Sequence, residues 1–426
     1  MIIQVLTKTL GPAMEFQSFR IYWFGTLASV IGFQILAFSQ FWIIHELTGS
    51  ALYLGYVGVA NSLPSMALNL FGGVLADKID KKRLIAITQT VNVLLIGILV
   101  FLIFTNIVEA WHVIILAFLT GSVNAFDLPA RIALYPTLVA KSALMNAVAL
   151  NTSIWTGTNI IAPAIAGLVI SNAGTMSAFI VSAMGFLIMA VLVMFLPKTP
   201  IRSSGISPLK DLAAGIRFIF KNNIFALLIG MSFFISFFGL SYMPMMPVFS
   251  VDILEIGVDG QGILMAVAGI GSLITTLVLA RIGNFPHRGI VILSGAILFG
   301  VLLIVFASTS LFFKNYSLAI ILMFFIGLSY TSFGIPVISF LQLMVPDNLR
   351  GRVMGMFGMT WAFTPLGGLY VGFSAGFFGN PSEGVPIVLA FGGLLIVFFA
   401  VAVTLMNRNI VKIGQINRSL ESNNNV

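Results

Sequence analysis

Gly73-Val74-Leu75-Ala76-Asp77-Lys78-Ile79-Asp80-Lys81-Lys82-Arg83 carries six charged residues in eleven positions. The runs that flank it, 52–76 and 83–106, are free of charge except for Arg83 itself. A helix crosses the hydrocarbon core of a bilayer with about 20 apolar residues. Both flanks are long enough, so the charged stretch reads as a tight polar connection between two membrane spans. Working outward from it, the same alternation of long apolar run and short link fills the chain. The runs are 19–45, 52–76, 83–106, 111–133, 145–171, 175–197, 223–250, 260–281, 288–309, 316–342, 353–376 and 385–407. Twelve spans return both termini to the same side of the membrane.

Composition agrees. The hydrophobic set makes up 59% of the 426 residues and charged residues only 8%, against about 25% charged in a soluble domain. So few charges cannot cover a water-exposed surface. There is no cysteine, which excludes disulfides and thiolate sites. His45, His112 and His287 are scattered, so no metal site is expected. Met1 to Arg20 contains Glu15 and lacks a small-residue cleavage site, so it does not read as a removable signal.

The net charge of +8 is sorted by side. Twelve spans place every Lys and Arg but Lys314 on the side of the termini. The positive-inside rule makes that side cytoplasmic. Basic charge spent on topology gives no reason to expect a nucleic-acid partner. The expected localisation is the cytoplasmic (inner) membrane of a prokaryote, multi-pass, with both termini inside.

A period of about 205 residues relates the halves, as in transporters built from parallel repeats. Leu75-Ala76 matches Leu279-Ala280, Pro129 matches Pro336, and Ala162-Pro163 matches Thr364-Pro365. The reading is an all-α integral membrane protein with twelve transmembrane helices in two pseudo-symmetric six-helix bundles. The expected domains are 1–197, an N-terminal bundle; 198–222, a cytoplasmic linker whose Leu209–Asn222 forms an interfacial helix; 223–407, a C-terminal bundle; and 408–426, a polar cytoplasmic tail.

The Gly73–Arg83 stretch resembles the signature of the major facilitator superfamily, with Asp80 in place of its second glycine. Thr158 to Gly167 resembles, in degenerate form, the proline–glycine motif of exporters in span five. Glu46–Ser50, Asn124–Arg131, Asn146–Asn151 and Leu349–Gly355 resemble the branch that holds the enterobactin exporter and macrolide efflux pumps. The resemblance runs from about residue 16 to residue 407. It implies a secondary active transporter that exports a small amphipathic or neutral molecule, drug-like or a secondary metabolite, by alternating access. A siderophore is the alternative cargo. A non-transporting membrane sensor or scaffold is the alternative of another class.

The resemblance also implies a conformational gate formed by Gly73, Asp77, Lys78, Lys81, Lys82 and Arg83, with Asp77 facing the start of span eleven. It implies a path lined by spans one, four, seven and ten. Gln34, Asn124, Tyr330, Tyr242 and Met243 are the candidates there, with Trp361 added from the polar residues of span eleven. Pro163, Gly167, Pro365, Gly367 and Gly368 are read as bend and packing positions, because proline removes a backbone donor and small residues admit close neighbours. All thirteen acids map to span ends or loops. A mid-membrane charge costs at least about 2.5 kcal/mol, and its absence fits an uncharged or amphipathic cargo. Protons are the candidate coupling ion, through Glu46, Glu109 or Asp77. No phosphate-binding loop occurs, so no cofactor is expected. No buried acid–base or nucleophile constellation is legible, so the chain is not expected to be an enzyme. It is expected to act as a monomer.

Overall fold

The computed structural model describes residues 10–198, 217–283, 287–407 and 410. Among them every regular element is helical. Hydrocarbon offers no water to peptide groups, and a helix satisfies its own. The helices are α1 Gln17–Thr48, α2 Ala51–Lys78, α3 Lys81–Phe104, α4 Ala110–Leu134, α5 Leu144–Val193, α6 Asn223–Phe234, α7 Gly257–Ile282, α8 Arg288–Phe313, α9 Tyr316–Met344, α10 Asp347–Trp361, α11 Thr364–Ala375 and α12 Pro381–Met406. Large apolar side chains turn outward, among them Leu94, Phe101 and Phe398 at 62, 61 and 71% exposure. An outer surface of this kind is stable in lipid and not in water.

Three spans depart from simple rods. α5 joins the fifth and sixth spans, interrupted at Gly174 with φ 79° and ψ 164°, a backbone that glycine adopts at no steric cost. Pro163 lies inside the first limb and does not break it. The seventh span, read from sequence as one helix over 223–250, is broken. α6 gives way to a π turn at Ile235–Gly239, a 3-10 turn at Leu240–Tyr242 and a second π segment at Val248–Ile253. Pro244 and Pro247 lack N–H donors, and the helix shifts register around them. The eleventh span is split into α10 and α11 at Ala362–Phe363, just before Pro365. With these joins the helices make up the twelve expected spans.

The chain forms two compact units, one of residues 1–49 and 56–206, the other of 50–55 and 207–426. Most of the expected linker helix and nearly all of the polar tail lie outside the described residues. Arg217–Lys221 is helical.

In the first unit α1 packs along α5. The Ser182 hydroxyl donates to the Gly32 carbonyl at 2.7 Å, and a Cβ on Gly32 would stand 2.7 Å from the Ser182 carbonyl oxygen. α2 crosses α4 where Gly121 lies directly beneath the Asn61 carbonyl, too close for any Cβ, and Ser65 donates to the Gly121 carbonyl at 2.9 Å. At the end bearing the N terminus, Asn146 accepts from Ala13 N at 2.9 Å and donates to the Leu10 carbonyl at 3.0 Å. This ties the first turn onto a core of Phe19, Tyr22, Ile85, Leu134 and Met189.

The second unit repeats the crossing. α7 meets α9 where Gly327 lies beneath the Ala268 carbonyl, again too close for a Cβ, and Ser272 donates to the Gly327 carbonyl at 3.0 Å. Glycine, overlying carbonyl and serine donor each recur about 207 positions along the chain, as a parallel repeat requires. α8 and α12 also meet through glycines, with Gly300 and Gly393 each within 3 Å of the other's carbonyl once a Cβ is added.

Candidate functional site

The first unit holds a closed ring of polar side chains. Ser29 of α1 donates to Gln89 Oε1 of α3 at 2.8 Å. Gln89 Nε2 donates to Asp127 Oδ1 of α4 at 2.9 Å, as does the Thr88 hydroxyl at 2.7 Å. Arg131 Nε donates to the other oxygen of Asp127, and Arg131 Nη2 returns to Ser29 at 2.8 Å. All five side chains are buried. The acid was read as lying at a span end. The structure instead places it seven residues inside α4, buried and ion-paired to Arg131. The i, i+4 spacing of Asp127 and Arg131 was the available signal, since it puts both on one helix face.

Deeper along the same helices lie amide pairs. Asn92 Nδ2 reaches Asn124 Oδ1 at 3.4 Å. Gln34 donates to Asn159 on α5, and Asn61 donates to Gln40 at 2.9 Å. Gln34 and Asn124, both expected on the path, are thus partly buried and each engaged with an amide on a neighbouring helix.

In the second unit the equivalent region is aromatic. Tyr330, which stands where Asn124 stands in the repeat, packs on Phe299 at 5.7 Å and on Trp361 at 5.9 Å, edge to face. The structure therefore brings together two expected path residues, Tyr330 and Trp361. Tyr242 is buried and Met243 is 41% exposed, both within the broken part of span seven. Sequence reading missed the aromatic row beside them. Phe233 meets Phe363 at 4.8 Å and Phe237 at 5.9 Å, and Phe237 meets Tyr370 at 5.7 Å. The pairs Phe233-Phe234 and Phe237-Phe238 were the signal, overlooked among 39 phenylalanines.

The bend and packing positions divide. Pro365 opens α11 at the break, whereas Pro163 marks no break. Gly367 lies beneath the Phe237 carbonyl of the first π turn, and a Cβ on Gly368 would meet Pro244 Cγ at 2.8 Å. Gly167 is buried in α5.

Of the expected gate residues, Gly73 and Asp77 lie in the last turns of α2, with side chains outside the described residues. Lys78 is exposed at the helix end, Lys81 is buried and Arg83 is exposed. Asp80 caps α3, accepting from Lys82 N at 3.2 Å. The Lys82 ammonium donates to the Leu196 carbonyl at 2.6 Å, closing the exposed end of span six.

The model of the Major Facilitator Superfamily matches residues 22–369. The chain belongs to that family. Among its relatives the Staphyloferrin A transporter of Staphylococcus aureus is 28% identical, covering 79% of this chain and 84% of its own. The multidrug efflux pump Tap of Mycolicibacterium fortuitum is 28% identical over 80% and 84%. Macrolide efflux protein A of Streptococcus pyogenes is 25% identical over 82% and 87%. The nucleoside transporter NupG superposes with a TM-score of 0.72 at 16% identity, covering 92% and 99% of the two chains. A bacterial homologue of the lysosomal transporter Spinster, inward-facing and unoccupied, superposes with a TM-score of 0.73 at 13% identity, covering 94% and 97%. Those structures share the fold. As a Major Facilitator Superfamily member the chain is a multi-pass membrane transporter of small molecules, and its spans form the twelve-helix, two-bundle fold of the family.

Proposed function

We propose that this transporter exports a small amphipathic or neutral molecule across the cytoplasmic membrane of its cell, with both termini inside. The observation that carries the reading is its alignment over about four fifths of its length with two efflux proteins. The spans support it, since no fixed charge occurs between Asn222 and Val251 or between Val353 and Ser382. A cargo held by ionic pairing finds no partner along those stretches, whereas an amphipathic one finds aromatic faces and amides. Alternating access would move it. The proposed domains are 1–197, 198–222, 223–407 and 408–426. The gate would lie in the Gly73–Arg83 segment, the path along Gln34, Asn124, Tyr242, Met243, Tyr330 and Trp361. Protons would drive the cycle of a monomer.

Export of a siderophore is the second reading, favoured by the similarity to the Staphyloferrin A transporter. The test is accumulation of a panel of fluorescent amphiphiles, a macrolide and a ferric-free siderophore in an efflux-deficient host, with and without the protein. Lower accumulation of at least one compound is expected. Unchanged accumulation of all of them, with insertion verified, would turn the assignment toward a non-transporting sensor or scaffold.

A further inference from the structure

The break in the eleventh span sets the end of α10 beside aromatic rings. Pro365 has no N–H, so the Trp361 carbonyl loses the donor four residues on that a continuous helix supplies. That carbonyl ends α10, where the helix dipole presents its negative pole. The hydroxyl of Thr364, the residue directly after the break, is buried and without a partner. Around this point stand the rings of Trp361, Tyr330, Phe363 and Phe233, in contact in pairs at 4.8 to 5.9 Å. Trp361 meets Tyr330 at a steep angle and is 50% exposed, so part of its side chain is uncovered. Aromatic faces attract cations through their quadrupole, tryptophan most strongly. Neither an acid nor a base occurs from Tyr316 to Val345 or from Val353 to Ser382. A cation therefore meets π faces, the carboxyl end of α10 and no fixed like charge; the amino end of α11, which starts at Thr364, lies at the same break and favours an anion, so the aromatic faces decide the sign of the site.

We propose that this break is a subsite for a hydrophobic organic cation, a bulky amine or quaternary onium, bound by the Trp361 and Tyr330 rings and the Trp361 carbonyl. The proposal rests on the export reading for its meaning and narrows the amphipathic cargo to cationic amphiphiles.

The test uses the purified full chain in detergent with radiolabelled tetraphenylphosphonium, and with tetraphenylborate as an ion of the same shape and opposite sign. Phosphonium binding is expected, with tetraphenylborate a weaker competitor by at least about ten-fold, because a desolvated cation–π contact is lost on reversing the charge. Trp361→Phe should keep affinity within about three-fold and Trp361→Leu lower it about ten-fold, following the ring quadrupole. Pro365→Ala, which returns a donor to the Trp361 carbonyl, should weaken phosphonium binding and spare tetraphenylborate. Equal competition by the two ions would overturn the proposal, as would full affinity in Trp361→Leu. Should Trp361→Leu not fold, Tyr330→Leu takes its place under the same criterion. Phosphonium bound at this site but not moved by everted vesicles would count against export while leaving the subsite in place. Vesicle transport of other compounds with no phosphonium binding would do the reverse.

Discussion

Asp127 and Arg131 pair with each other one turn apart on α4, each only 6% exposed. The ring they close ties α1, α3 and α4 of the first unit. In the repeat the positions of Thr88, Gln89, Asp127 and Arg131 fall on Gly295, Ala296, Phe333 and Val337. The second unit builds the same helix arrangement with no charge there, so the ring is not a requirement of the architecture.

Removing one member of such a pair leaves the other charge buried and unpaired. Arg131→Leu should destabilise the protein by about 3–5 kcal/mol, whereas Asp127→Leu combined with Arg131→Leu should recover most of that loss. Thermal unfolding in detergent reads both. A double variant as unstable as the single one would show that the ring's value lies in its geometry and not in charge balance.

Gly327 sits under the Ala268 carbonyl with no room for a Cβ, while a Cβ on Gly334, two turns along α9, meets nothing within 4 Å. Gly327→Ala should therefore cost about 1–3 kcal/mol by overpacking, and Gly334→Ala should cost little. Gly121→Ala should reproduce the Gly327 result in the first unit. Size-exclusion recovery after heating ranks the three, and parity between Gly327→Ala and Gly334→Ala is the contrary result.

Asn92, fully buried, shares one hydrogen bond with Asn124, a residue proposed to line the path. Asn124→Ala should change which compounds are exported. Contacting residues couple, so Asn92→Ala should alter the profile in the same direction and the double variant should fall short of additivity. Independent effects on the two profiles would separate Asn124 from the pair.

Asp77 stands at the end of α2 in the segment proposed as the gate. Asp77→Asn should reduce turnover several-fold with near-normal expression, since a carboxylate facing a helix N-terminus contributes about 0.3–2 kcal/mol to one conformation only. Initial-rate efflux per molecule of inserted protein measures it, and wild-type turnover in the variant would remove the gating role.

The sequence by itself determined the class of molecule and its repeat. A chain with so few charges has no folded form in water, and the polar links between apolar runs mark the spans. Pro129 and Pro336 already showed the period that Gly121 and Gly327 make physical. Pro365 lies in the first turn of α11, after the split. Other features depended on which atoms meet across helices, and no local pattern encodes that. Pro163 and Pro365 look alike in sequence, yet only Pro365 coincides with a break, because the chain around Pro163 keeps helical backbone and turns at Gly174 instead. Asp127 looked like an end-of-span acid until α3 supplied Thr88 and Gln89 and α1 supplied Ser29. Phe233 and Phe237 were indistinguishable from lipid-facing filler until the packing of the seventh span set them against Phe363 and Tyr370. Hydrophobic burial and backbone satisfaction act along the chain and are legible in it. Ring contacts and buried ion pairs depend on the register between helices, which only the packed structure fixes.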